Sequence, residues 1–210
     1  PETEELVDQV LRIFAAADAA PDRTRQEPRR LADIGSGTGA IAISLLSGLP
    51  GSWLGVAVEP AAVAASLTEE NARRCGVDQR LEVMRCSVSS WAEAGEPGTF
   101  DLIVSNPPYI PTSELPELQP EVRLFEDSGA LDGGEDGLDI VREVLLCARR
   151  MGAPGAQIFL EVHHTHPALF EAAAASGRSE QLDLAGFELV RTWPDMFGQP
   201  RFVELRVLGG

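Results

Sequence analysis

Lysine is absent from this chain: all 17 basic residues are arginine, a choice that reflects coding bias more than chemistry. Positive charge is scarce altogether, since 33 acids leave a net charge of -16. A surface that grips phosphates draws its affinity from cations and counterion release, so this balance argues against nucleic acid as a direct partner. A basic protein partner suits it better. Cysteine is also sparse. Cys75, Cys86 and Cys147 stand far apart and match neither a zinc spacing nor a Cys-x-x-Cys redox pair. They read as reduced, partly buried thiols of an intracellular protein. Long hydrophobic runs are missing too: nothing approaches the roughly eighteen consecutive apolar residues of a helical membrane span. No basic-then-apolar leader opens the chain, which starts at Pro1 without a methionine. Any targeting segment or preceding domain is therefore expected to lie outside this sequence.

What is present is enough for one substantial core: 210 residues, 44% hydrophobic, expected to form one domain over residues 1–210. There are no internal repeats. Leu6, Val7, Val10, Leu11, Phe14 and Ala17 recur at three- and four-residue steps, which predicts an amphipathic helix from Glu2 to about Ala20. Pro21 to Arg30 is a polar connector. Short apolar runs then alternate with helical segments: "LADI" before a helix from about Thr38 to Ser47, "WLGVAV" before one from about Pro60 to Cys75, and "RLEVMRC" before a loop leading to "FDLIV", Phe100 to Val104. Pro111 to about Gly137, rich in Pro, Gly and acids, reads as a loop or lid. Beyond it come a helix through Ile140 to Arg150, a strand "QIFLEV", a helix from about Pro167 to Ser176, and two strands near "FELVRT" and "RFVELRV" that can pair as a hairpin. This alternation predicts a mainly parallel, doubly wound α/β sheet, in which ligands bind at the carboxyl ends of strands.

Two of those strand ends are unusual. The first runs into "DIGSGTGAIAISLL", with Asp33 followed by Gly35, Ser36, Gly37, Thr38 and Gly39. Glycines here permit a tight strand-to-helix turn and let a ligand approach the backbone. Alone, such a loop serves a dinucleotide, S-adenosylmethionine, or close packing of helix on strand. The second strand ends at Glu59, where an acid can accept hydrogen bonds from both ribose hydroxyls of an adenosine ligand, or can simply favour a helix N-terminus. The glycines follow Gly-x-Gly-x-Gly rather than the dinucleotide fingerprint, and Asp33 would repel pyrophosphate while suiting a cationic amino acid head group. That favours S-adenosylmethionine. The other unusual end is "SNPPYIP", Ser105 to Pro111, where a buried strand stops at an asparagine, two prolines and a tyrosine. An Asn-Pro turn accounts for it structurally. Functionally, it offers a polar, rigid, hydrogen-bonding strand end, with Pro107 biasing Asn106 toward extended backbone.

Together "DIGSGTGAIAISLL", "NPPYIP" and "LQPEVRLFEDSGALDGGEDGLDIVREV" resemble the HemK/PrmC family of release-factor glutamine N5-methyltransferases, across essentially the whole chain. "IFLEVHHTHP" and "FGQPRF" look more like its animal mitochondrial branch; a bacterial member would be cytoplasmic. The resemblance implies a class I S-adenosylmethionine-dependent methyltransferase: a Rossmann-like, doubly wound, mainly parallel seven-stranded sheet with a C-terminal antiparallel hairpin. It implies Asn106, Pro107, Pro108 and Tyr109 as the catalytic tetrapeptide, Asp33, Gly35, Ser36, Gly37, Thr38, Gly39 and Asn106 at the cofactor, and Glu59, usually Asp in relatives, at the ribose. Ser87 stands where many relatives place an acid for the adenine amino group, and offers an acceptor without charge. The substrate implied is a class I peptide-chain release factor bearing a Gly-Gly-Gln loop, acted on by a monomer without direct contact to nucleic acid or membrane. The family's N-terminal helical domain is not in this sequence. Asn-Pro-Pro-Tyr also occurs in amino-methyltransferases acting on nucleic-acid bases, which leaves that activity, action on another protein, or a non-catalytic cofactor-binding module as alternatives.

Three further features carry weaker expectations. His163, His164 and His166 read as a solvated loop after the fifth strand rather than a metal site, for want of further ligands. Glu161 either lines the site or closes a strand at the surface. Between Glu114 and Asp139 the acids Glu114, Glu117, Glu121, Glu126, Asp127, Asp132, Glu135, Asp136 and Asp139 face Arg123 alone, either as a solvated run or as a dock for a basic release factor.

Overall fold

The computed structural model describes residues 2–18, 27–121, 128–176 and 179–209. Seven strands form one sheet in the order β3-β2-β1-β4-β5-β7-β6. They are β1 (Arg29–Ile34), β2 (Trp53–Val58), β3 (Leu81–Met84), β4 (Phe100–Ser105), β5 (Gly152–Glu161), β6 (Phe187–Pro194) and β7 (Pro200–Val207). β1 to β5 pair in parallel, while β7 lies antiparallel to both β5 and β6. The expected sheet and closing hairpin are therefore both present.

Helices cover both faces, which is why the central strands are apolar at nearly every position rather than alternating. On one face lie α1 (Glu2–Asp18), α2 (Ala40–Gly48) and α3 (Ala62–Arg74), whose Leu6, Val10, Phe14, Leu45 and Ala72 pack with Leu31, Trp53 and Phe159 of the sheet. The other face carries α4 (Val88–Ala94), α5 (Asp139–Met151) and α6 (His166–Ser176), contributing Trp91, Val144, Leu145 and Phe170. Each such fully buried large side chain stabilises the fold by roughly 1.5–3 kcal/mol over leaving it in water. The predicted stripe of α1 accounts for its burial, with Phe14 meeting Trp53 edge to face at 5.1 Å; the side chain of Ala17 is outside the described ones. Glu2, Glu4 and Glu5 fill the first turn of α1, where negative charge suits the helix dipole.

One expectation fails between β3 and β4. The predicted loop there contains α4, started by Ser87, whose hydroxyl accepts from Ser90 N and caps the helix. Seven residues are too few for a clear apolar period, so only the serine cap and the buried Val88, Trp91 and Ala92 mark it. Among the described residues, the segment from Pro111 to Gly137 holds two short 3₁₀ turns, Thr112–Glu117 and Ser128–Ala130, with Pro120 and Glu121 helical; Arg123, Glu126 and Asp127 lie outside the described residues. Among the described residues no helix is long and apolar enough to cross a membrane. The thiols are unpaired, with Cys147 buried and Cys86 half-buried as expected, but Cys75 exposed.

Candidate active site

The sheet order reverses between β1 and β4, whose ends lie in register with Ile34 beside Ser105. Two loops leaving neighbouring strands in opposite directions open a crevice at that point. The glycine loop occupies one side of it and Asn106 the other, and the Ser105 hydroxyl ties the two ends together by donating to Ile34 O at 2.6 Å.

The glycine loop is held from several directions. Gly35 N and Ser36 N both donate to Val58 O, at 2.9 and 3.1 Å, which fastens the turn to β2. Gly39 has φ +81, and a Cβ built there would sit 2.6 Å from Thr68 Cγ2, so α2 and α3 approach too closely for any side chain. Gly35 and Gly37 face open space instead. Asp33 is fully buried, its Oδ2 accepting from Ala42 N at 2.9 Å while Oδ1 has no partner among the described residues. Burial, partly offset by the Ala42 hydrogen bond, lifts its pKa to about 7. The hydroxyl of Ser36 is likewise buried without a partner.

Glu59 has an internal role within the fold. Its Oε2 accepts from Gly37 N and its Oε1 from Ala61 N, both at 2.8 Å, so the carboxylate braces the glycine loop against the turn after β2. Each oxygen keeps a second lone pair. Sequence reasoning missed two residues of α3: Thr68 Oγ1 donates to Gly37 O at 2.9 Å and Asn71 Nδ2 to Thr38 O at 3.0 Å. Their signal is the polar Thr68 on the buried face of a helix, at 0% exposure. The Ser87 hydroxyl at the end of β3 is shared among Ser89, Ser90 and the α4 cap.

Across the crevice, Asn106 Nδ2 donates to Thr3 Oγ1 at 3.2 Å, and Thr3 Oγ1 donates to Glu161 Oε2 at 2.9 Å. Glu161 is 3% exposed and belongs to the site rather than the surface. Tyr109 donates to Glu161 Oε1 at 3.4 Å and accepts from Arg201 at 3.2 Å. Burial and the nearby Glu161 carboxylate push the Tyr109 hydroxyl up to about 12, so it stays protonated. Pro107 is buried, with Pro108 and Tyr109 half-buried.

The "ALDGGEDGLD" stretch clamps the tetrapeptide from outside. Ile110 and Asp132 form an isolated parallel bridge, with Ile110 N donating to Leu131 O at 3.0 Å and Gly133 N to Ile110 O at 2.9 Å. A Cβ at Gly137, where φ is +74, would lie 2.4 Å from Tyr109 O. Asp136 is paired with Arg142, which holds its carboxyl below the usual range, and Asp132 accepts from Thr112. Asp132 and Asp136 are thus structural; Glu114, Glu117, Glu121, Glu135 and Asp139 are exposed, although Asp139 also pairs with Arg142 at 3.0 Å and Glu114 lies 3.6 Å from His163.

The histidines correct the sequence reading. Only His164 is solvated: His163 is 9% exposed and His166 1%, with His166 Nε2 against Asp136 O at 3.1 Å. Burial depresses His166 to about 4, so it is a neutral packing group beside Gly137. Three histidines in four residues look polar; their burial comes from α6 starting at His166, which turns two rings inward. No group of described residues is arranged to hold a metal ion.

A family description, "Methyltransferase small domain", matches residues 17–128. Among curated proteins the chain is 40% identical to human "MTRF1L release factor glutamine methyltransferase", over all of this chain and 60% of that protein. It is 38% identical to "Release factor glutamine methyltransferase" of Bradyrhizobium diazoefficiens, over 89% of this chain and 61% of that one. The chain thus spans about 60% of the length of these relatives. Similar folds include TrmN from Thermus thermophilus, with TM-score 0.61 and 20% identity over 95% of this chain and 48% of that one. The N-terminal domain of human METTL16 in complex with SAH gives TM-score 0.62 and 16% identity, over 100% of this chain and 71% of that one. With the glycine loop, the strand order and that match over more than half its length, the chain belongs to the methyltransferase small domain family.

Proposed function

We propose that residues 1–210 are the catalytic domain of an enzyme that transfers a methyl group from S-adenosylmethionine to the side-chain amide nitrogen of the glutamine in the Gly-Gly-Gln motif of class I release factors. The observation that carries this reading is the adjacency of Asn106 to the glycine loop across the β1–β4 crevice. The relatives' names supply the substrate.

The residues present fit the cofactor. Asp33 Oδ1 and Ser36 Oγ are buried acceptors without partners, and Gly35 and Gly37 leave their backbone open. Asp33 with Gly35, Ser36, Gly37, Thr38 and Gly39 would hold the amino acid end, the spare lone pairs of Glu59 the ribose, and Ser87 would lie at the adenine end. When bound, S-adenosylmethionine supplies a sulfonium methyl open to displacement by a nucleophile. A glutamine nitrogen is a weak nucleophile because its lone pair is delocalised into the carbonyl. Asn106 Oδ1 and the backbone carbonyl after it can each accept one of its N–H groups, aiming the remaining lobe at the methyl carbon. Orientation is then the main contribution of the protein. The same two oxygens would stabilise the positive charge that methylation places on the nitrogen, whose released proton would pass to water. Pro107 and Pro108 hold those oxygens rigid.

The exposed acids Glu114, Glu117, Glu121, Glu135 and Asp139 give the crevice rim a charge suited to a basic release factor. The domain acts as a monomer in a mitochondrion, as the animal-branch resemblance implies. Mass spectrometry of a release factor after incubation with the cofactor tests the reading: it requires one added methyl on the Gly-Gly-Gln glutamine. Transfer to DNA or RNA instead would replace it with base methylation, and transfer to nothing would leave a binding module.

A further inference from the structure

Resting on that reading of the reaction, we infer that Thr3 and Glu161 are positioning residues that fix which end of the Asn106 side chain faces the substrate. An asparagine amide is nearly symmetric in shape, and only one of its two orientations can accept hydrogen bonds from another amide's NH₂. The opposite orientation would set NH₂ against NH₂. Catalysis therefore needs a device that breaks the symmetry.

The hydrogen-bond polarity around Glu161 provides it. A carboxylate only accepts. Thr3 Oγ1 has one proton, committed to Glu161 Oε2 at 2.9 Å, so toward Asn106 it can only accept. The partner at 3.2 Å must then be the amide nitrogen. On the other carboxylate oxygen the same logic runs through Tyr109, which donates to Glu161 and accepts from Arg201, whose guanidinium only donates. Two donor chains, Asn106–Thr3 and Arg201–Tyr109, converge on one buried acceptor. Among the described residues Oδ1 of Asn106 accepts from no protein group, which leaves it free for the substrate. Thr3 stands 103 residues from Asn106 in sequence, so the first turn of α1 takes part in the site as well as in packing.

Thr3→Val keeps the shape of the side chain and removes the hydroxyl; Thr3→Ser keeps the hydroxyl. The expected result is a kcat about 10- to 100-fold lower for Thr3→Val, as for a small loss of reactant alignment. KM for a Gly-Gly-Gln-bearing release factor and affinity for S-adenosylhomocysteine should stay near wild type, and Thr3→Ser should restore kcat. A wild-type kcat for Thr3→Val overturns the inference. So does a fall shared by Thr3→Ser, or one matched by lost cofactor affinity and melting temperature. Orientation is also read without turnover. In the wild type the Asn106 side-chain NH₂ protons, assigned by their loss in Asn106→Asp, should show a nuclear Overhauser contact to the Thr3 methyl that weakens in Glu161→Gln. Absence of that contact in the wild type sinks the inference. Should the wild type methylate no release factor, the substrate reading falls, and this spectrum still decides whether Thr3 and Glu161 orient Asn106.

Discussion

Asn106 and Asp33 are opposite kinds of polar residue: one is half-buried at the end of β4 with its nitrogen bonded to Thr3, the other fully buried with its carboxyl stripped of solvent. Truncating Asn106 to alanine removes one of two oriented oxygens. Transfer should fall about 10²- to 10³-fold, the usual cost of losing one preorganised stabilising group, while S-adenosylhomocysteine still binds in a calorimeter. Asp33 predicts a pH dependence. An ordinary aspartate loses its proton near pH 4, whereas this one, lifted by burial, holds it to about 7. Between those values the folded protein binds a proton that the unfolded chain has released, so Asp33 costs stability increasingly as pH rises from about 4 to 7, and no more above that. Urea midpoints of wild type minus those of Asp33→Asn should therefore decline across that window and then level off. A flat difference would show that Asp33 is ionised throughout.

Two of the glycines at which a Cβ would clash lie beside the crevice. At Gly39 the start of α2 abuts Thr68 of α3, and at Gly137 the loop before α5 abuts the Tyr109 carbonyl. An alanine at Gly137 carries roughly 1–2 kcal/mol of left-handed backbone strain, and roughly 1–3 kcal/mol more for overpacking. Because the contact is to the tetrapeptide's own backbone, methyl transfer should suffer beyond the drop in melting temperature. Gly39→Ala should instead weaken S-adenosylhomocysteine binding, read by calorimetry, with a similar loss of stability. The sequence showed both glycines but not their partners. A segment about thirty residues beyond Asn106 gave no periodic sign of returning to it, because the link is a bridge at Ile110 and Asp132 rather than a strand. Helix α4 was hidden for a related reason: a short helix is specified by its cap and by the sheet it covers.

Over the whole molecule, a net charge of -16, with Glu114, Glu117, Glu121, Glu135 and Asp139 exposed, should accelerate the approach of a basic protein. Raising salt from about 50 to 500 mM should lower kcat/KM for a release factor roughly 3- to 10-fold by screening. Affinity for S-adenosylhomocysteine, held mainly by buried groups, should barely move. An unchanged kcat/KM would remove docking from the role of these acids and leave them as solvated surface.

Local chemistry by itself determined much here. Apolar runs without alternation specify strands buried on both faces, and glycines at 35, 37 and 39 after Asp33 specify a tight strand-to-helix turn, since these properties depend on near neighbours alone. Tertiary structure decided which distant groups share a proton. Thr3, Asn106 with Tyr109, Glu161 and Arg201 come from four separate segments and are joined only because β1 and β4 end side by side, β5 follows, and α1 folds back over their ends. The burial of His163 and His166 and the bracing role of Glu59 were settled at that level too, because burial and hydrogen-bond partnership belong to the packed chain and not to any stretch of it.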